Sequence, residues 1–142
     1  MLISSRGQYA IRILLDLAIH DSGEAINVKT IAERQELSEK YMEQILSVLQ
    51  KAGFVVSTRG YHGGYHLTKK PENYTIGKIL RTVDEPLIPA TQQEDIQERP
   101  VELVVNELWG NLQEQIENTL DSVTLLDLMN SYNDKICFSY TI

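Results

Sequence analysis

Cysteine is almost absent: Cys137 is the single thiol in 142 residues. One cysteine excludes an intrachain disulfide, a four-cysteine zinc site and a cluster held by several thiolates of one chain. Long apolar runs are missing too. None approaches the about 18 residues that mark a membrane helix. The most apolar early stretch, Ile11 to Leu17, carries Arg12 and Asp16, and no small-residue cleavage site follows it. It makes a poor signal peptide, so a cytoplasmic protein is expected. No nucleophile elbow, phosphate-binding Walker loop or zinc-protease motif occurs. The expectation is a protein that is not an enzyme and has no cofactor. His62 and His66 lie four apart, a metal spacing on a helix, but they fall in a hairpin without a third ligand. No metal site is expected.

Basic charge is scarce overall, with a net charge of −7. The deficit is uneven. Residues 1–70 hold nine Lys/Arg against seven Asp/Glu, a balance of +2, while residues 71–142 hold four against thirteen, a balance of −9. Such asymmetry separates a half able to face nucleic acid from a half suited to solvent or a protein partner. A hydrophobic fraction of 42% argues against global disorder.

The order of elements sharpens this division. Ala10, Ile13, Leu14, Leu17 and Ala18 keep helical spacing after a cap at Ser4 or Ser5, and Asp21-Ser22-Gly23 ends that helix. Ile26-Asn27 reads as a very short strand. Asn27 caps a second helix from Val28 to about Gln35, Glu36-Leu37 makes a turn, and Ser38 opens a third. The third helix has the stripe Met42, Ile45, Leu46, Leu49 and stops at Gly53. Strands Phe54–Thr58 and Tyr65–Thr68 flank the glycine-rich turn Arg59–Gly64. A helix-turn-helix followed by a hairpin is a winged helix.

Downstream, Lys69–Asn73 is a linker and Thr75 caps a short helix through Ile76, Ile79, Leu80 and Val83. Glu85 to Pro100, with Pro86, Pro89 and Pro100, reads as a mobile loop. A long helix follows from about Val101 to Ser122. Thr124 and Asp127 resemble a capping box for a short final helix, Leu125 to Met129. Lys135 to Tyr140 reads as an apolar, strand-like tail with Cys137 buried in it. The expected fold is mainly α with a small β-hairpin: residues 1–70 a winged helix-turn-helix, residues 71–142 the linker, short helix, loop and dimerisation helix with its tail.

The polar face of the third helix offers Ser38, Lys40, Glu43, Gln44 and Ser47. Gln44 suits adenine N6/N7, Glu43 accepts from cytosine N4, and Lys40 reaches guanine or phosphate. A solvated helix face has the same composition. Arg59, Gly60, Tyr61, His62 and Gly63 form the wing, with Arg59 suited to a narrow minor groove. Tyr9 and Lys29 complete the expected contacts with an operator duplex. Leu108, Trp109, Leu112, Ile116, Leu120 and Val123 give the long helix a stripe to bury, in a homodimer, on the first helix, or on both.

Ser5-Arg6-Gly7-Gln8-Tyr9-Ala10, the run Ser38 to Leu46, Leu49-Gln50-Lys51-Ala52-Gly53 and Arg59-Gly60-Tyr61-His62-Gly63-Gly64-Tyr65 resemble, in order, the motifs of the Rrf2 family of bacterial transcription regulators. The resemblance covers nearly the whole chain and implies a homodimeric repressor. Many members hold an iron–sulfur cluster on three cysteines in the loop before the long helix. That loop has no cysteine here. Glu85-Pro86-Leu87-Ile88-Pro89 and the ending Phe138-Ser139-Tyr140-Thr141-Ile142 resemble the branch that represses cysteine metabolism. That likeness implies cysteine synthase as a co-repressor partner. The other classes to weigh are a winged-helix protein-interaction module and a small-molecule-responsive regulator of another pathway.

Overall fold

Side-chain oxygens start the first four helices, because the leading backbone N–H groups of a helix lack partners within it. In the computed structural model, which describes residues 3–84 and 99–140, α1 spans Ser5–Ile19, α2 Val28–Gln35, α3 Glu39–Lys51 and α4 Ile76–Val83. Ser4 Oγ accepts from the Gly7 N–H at 3.0 Å and Asn27 Oδ1 from the Thr30 N–H at 2.8 Å. Ser38 Oγ accepts from Tyr41 and Thr75 Oγ1 from Lys78, both at 3.2 Å. Between α2 and α3 the chain reverses at Glu36, which takes the left-handed φ of 55°. Its N–H and that of Leu37 return to the last carbonyls of α2, Leu37 to Ala32 at 3.0 Å. This tight stop holds the two helices as a helix-turn-helix.

The stripes meet in one core. Ala10, Ile13, Leu14 and Leu17 of α1, Met42, Ile45, Leu46 and Leu49 of α3, and Ile79, Leu80 and Val83 of α4 are all buried. The wing is an antiparallel pair, β1 (Val55–Thr58) and β2 (Gly64–Leu67), with Val55 opposite Leu67 and Thr58 opposite Gly64. Ile26 adds a third, one-residue strand: Ile26 and Tyr65 exchange backbone hydrogen bonds of 2.9 and 2.8 Å. Gly64 makes this approach feasible. A Cβ there would overlap the Ile26 carbonyl and come within 2.7 Å of the Asn27 nitrogen.

After a 3-10 turn at Pro71–Asn73, Tyr74 is buried at 1% exposure. Its hydroxyl donates to the Phe54 carbonyl at 2.7 Å and accepts from the Thr68 and Lys69 N–H groups at 3.0 and 3.2 Å. One phenol thus ties the end of the wing to its beginning. The long helix α5 spans Pro100–Ser122 and α6 spans Leu125–Tyr140. Between them Thr124 bridges to Thr75, with the Ile76 N–H donating to Val123 O and the Leu125 N–H to Tyr74 O, both at 2.9 Å. The capping box is formed: Thr124 N–H donates to Asp127 Oδ2 at 2.9 Å, and Asp127 N–H to Thr124 Oγ1 at 3.2 Å.

The C-terminal end differs from expectation. The final helix does not stop at Met129; it has 16 residues, and the expected strand-like tail is its last turns. No glycine or proline interrupts Leu125 to Tyr140, so nothing ends the helix once it has begun. Helical winding carries Cys137 out to the surface, where it is exposed rather than buried. Residues 85–98, most of the expected loop, lie outside the described residues.

Candidate nucleic-acid interface

Burial of Met42, Ile45, Leu46 and Leu49 turns the opposite side of α3 outward. Ser38, Lys40, Glu43, Gln44 and Ser47 are all exposed there, together on one face. Ser38 spends an oxygen lone pair on its cap and keeps its O–H as a donor. Glu39 in the first turn complements the helix dipole. Lys29 is exposed on the first turn of α2.

Two contacts fix the wing relative to α3. Gln50 Nε2 donates to Ser57 Oγ at 3.2 Å, and Thr68 Oγ1 donates to the Gly53 carbonyl at 2.6 Å. The tip projects beyond them. Tyr61 is fully exposed, its ring edge-on to His62 at 5.0 Å, and Arg59 and Gly60 are exposed beside it. Gly60 takes a φ of 115°, and its carbonyl accepts from the Gly63 N–H at 2.9 Å, closing the turn.

Tyr9 is half-buried rather than free at the surface. Its ring meets Tyr41 of α3 edge-on at 5.9 Å, and the Arg12 guanidinium lies 4.9 Å from its centroid. Behind them lies a polar network that the apolar pattern conceals. Asp16 is buried at 3% exposure. Its carboxylate accepts from Arg34 Nε at 3.0 Å, Arg34 Nη2 at 2.7 Å and Gln35 Nε2 at 2.9 Å. A carboxylate buried without such donors would cost several kcal/mol. The network therefore bolts α2 to α1 and sets the angle at which α3 is presented. The signal for it was Asp16 itself, a carboxylate inside the stripe of α1.

The six residues expected at a dimer interface do not share one environment. Leu108, Trp109 and Leu112 are 51%, 44% and 42% exposed, and Val101, Val104 and Val105 extend the same uncovered surface. Ile116 is half-buried. Leu120 and Val123 instead pack against the chain's own core. The reason is the anchoring of the α5 end: Asp121 accepts two 2.7 Å hydrogen bonds from Arg81 of α4. A Cβ at Gly77 would meet the Asp121 carboxylate, so a side chain there would make that carboxylate move away from its place beside Arg81. Hydrogen bonding to Asp121 raises the Arg81 pKa further.

Comparisons with known proteins agree on what such an assembly is. The Rrf2 family model, described as an iron-dependent transcriptional regulator, matches residues 3–131. The chain is 40% identical over 134 residues to the HTH-type transcriptional regulator CymR of Bacillus subtilis, covering 94% of this chain and 93% of that protein. It is 36% identical over 131 residues to protein rrf2 of Nitratidesulfovibrio vulgaris, covering 91% and 87%. The solved structure of CymR, the global cysteine regulator of B. subtilis, superposes with a TM-score of 0.80 at 37% identity, covering 92% of this chain and 98% of that one. The donors present do not suit a cysteine-ligated iron cluster: Cys137 is the sole thiol, and among the described residues no three His, Cys, Asp or Glu side chains gather to hold a metal. With its winged helix-turn-helix and family motifs in order, the chain belongs to the Rrf2 family of transcriptional regulators.

Proposed function

We propose that this regulator is a cytoplasmic homodimeric repressor of cysteine and sulfur metabolism genes, and that it is not an enzyme. The observation that carries the reading is the exposed polar face of α3 beside an exposed wing, both mounted on a buried core. In the proposed complex α3 enters the major groove. Gln44 reads adenine, Glu43 accepts from a cytosine amino group, and Lys40, Ser38 and Ser47 reach bases or phosphates. The wing, Arg59 to Gly63, follows the neighbouring minor groove, and Tyr9 and Lys29 meet phosphates. Residues 1–70 thus serve DNA and residues 71–142 serve assembly.

Dimerisation buries the apolar surface of α5 around Leu108, Trp109, Leu112 and Ile116. The metabolic assignment rests on the 40% identity to CymR. The same likeness suggests cysteine synthase as a partner, suited to the half of the chain whose charge balance is −9. A partner that prefers the DNA-bound form needs a coupling of only about 1–3 kcal/mol to act as co-repressor. The test is a gel shift on duplex from upstream of the regulator's own gene. Affinity is then measured with and without the cognate cysteine synthase, and again with O-acetylserine added. Tight, sequence-selective binding that cysteine synthase strengthens is expected. Binding unaffected by the enzyme would remove that partner, and equal binding to scrambled duplex would remove the operator reading.

A further inference from the structure

We propose that the cleft between α1, α2 and α6 is an effector site for a small organic monocarboxylate, one with a short apolar body. This inference rests on the DNA-binding reading above and adds a means of control. The cleft has a volume of about 430 Å³ and is lined by Arg12, Leu15, Ile19, Arg34, Gln35 and Tyr132, with the buried Asp16 and the exposed His20 completing it. That volume lies within the range of small-molecule sites, roughly 300–1,000 Å³.

Its charge favours an anion. Two guanidinium groups face one carboxylate, so the lining is net positive within a chain of net charge −7. The carboxylate is already occupied, because Asp16 takes Arg34 Nε, Arg34 Nη2 and Gln35 Nε2. Arg12 is held by a single 3.0 Å hydrogen bond from its Nε to Gln35 Oε1. Among the described residues, both Arg12 Nη groups and Arg34 Nη1 have no acceptor. His20 Nδ1 lies 2.9 Å from the Asp16 carbonyl, so its ring is held at the edge of α1. The two Nη groups of a guanidinium such as that of Arg12 match the two oxygens of a carboxylate. Leu15, Ile19 and the Tyr132 ring supply the apolar walls.

The site touches the parts that position α3. Gln35 directly precedes Glu36, whose left-handed backbone turns the chain toward α3. Arg12 covers the ring of Tyr9, which meets Tyr41 on α3. A carboxylate that draws Arg12 away from Gln35 and Tyr9 loosens both contacts at once. Tyr132 brings α6 into the same cleft, so a ligand also bears on the C-terminal half.

The test titrates the full-length protein with acetate, hexanoate and benzoate by calorimetry, with inorganic phosphate as a bare-anion control. Hexanoate or benzoate is expected to bind saturably, one per chain, and acetate and phosphate far more weakly. Arg12→Gln should weaken that binding by about tenfold or more, the loss of a charge-assisted contact. Ile19→Trp, which fills the cleft from a partly exposed position, should abolish it while circular dichroism stays unchanged. The bound carboxylate should also change operator affinity several-fold in the parent and not in Ile19→Trp. No saturable binding by any carboxylate would overturn the site, as would equal binding to both variants or full mimicry by phosphate. A protein that binds its operator but no carboxylate refutes the cleft alone. One that binds the carboxylate but no DNA supports the cleft and refutes the regulator reading.

Discussion

Replacing Gly64 with alanine tests whether the wing is fixed to the body by the Ile26 bridge. The added Cβ would overlap the Ile26 carbonyl and crowd the Asn27 nitrogen, both backbone atoms that cannot swing aside. The strands must part, and the pair of 2.9 and 2.8 Å hydrogen bonds between Ile26 and Tyr65 is lost. Two backbone hydrogen bonds contribute about 2 kcal/mol together. The φ of 156° at Gly64 adds strain for any side chain, about 1 kcal/mol. The expected destabilisation is therefore about 3 kcal/mol. Gly60→Ala is the control: its φ of 115° is equally demanding but no atom lies within 4 Å of its Cβ. It should cost only about 1 kcal/mol. Urea unfolding followed by circular dichroism, at one fixed protein concentration because a dimer's stability depends on it, reads both. Gly64→Ala should also weaken operator binding at urea-free stability, because the wing leaves its register. A Gly64→Ala protein within about 0.5 kcal/mol of the parent, against measured additivity of about that size, would refute the bridge as a fixed joint.

Three further outcomes follow from the interface. Arg59→Ala should cost about 1–3 kcal/mol of operator affinity, whereas Lys70→Ala, in the linker, should mainly lower the salt slope by about one; fluorescence anisotropy across a salt series separates them, and equal losses at every salt would count against a reading wing. Glu43→Ala should narrow the gap between operator and scrambled duplex by about 1–3 kcal/mol while leaving non-specific binding intact or stronger, since a carboxylate near phosphate is lost; an unchanged ratio in competition binding would end its base-reading role. Leu112→Glu, at a position 42% exposed in the single chain, should weaken dimerisation by roughly 3 kcal/mol or more, because each dimer loses two buried leucines; sedimentation equilibrium showing an unaltered dimer would place the interface elsewhere.

Much of the fold was legible because it is written in local chemistry. Ser4, Asn27, Ser38 and Thr75 cap the helices they precede, and the Thr124–Asp127 box closes as its spacing implied. The stripe of α3 predicted both its buried side and, by opposition, its polar face. What remained hidden depends on partners far along the chain. The Tyr74 hydroxyl bonds to Phe54, 20 residues away. Asp16 finds Arg34, 18 residues away. Leu120 and Val123 continue the α5 pattern but are claimed by the core, because Arg81 pins the helix end at Asp121. The last turns of α6 misled for another reason. Ile136, Phe138 and Tyr140 alternate like a strand, yet a helix with no stop signal simply continues through them. Alternation over so few residues does not override helix propagation.

In the proposed assembly two copies of α3 and its wing read a symmetric duplex. Selection of binding sites by the purified protein from a random duplex library tests it most directly. The expected outcome is a two-fold symmetric motif whose half-sites lie one helical turn apart, about 34 Å, and whose enrichment falls for Glu43→Ala and Arg59→Ala. A library that emerges without an enriched motif, or with one indifferent to both substitutions, would contradict it.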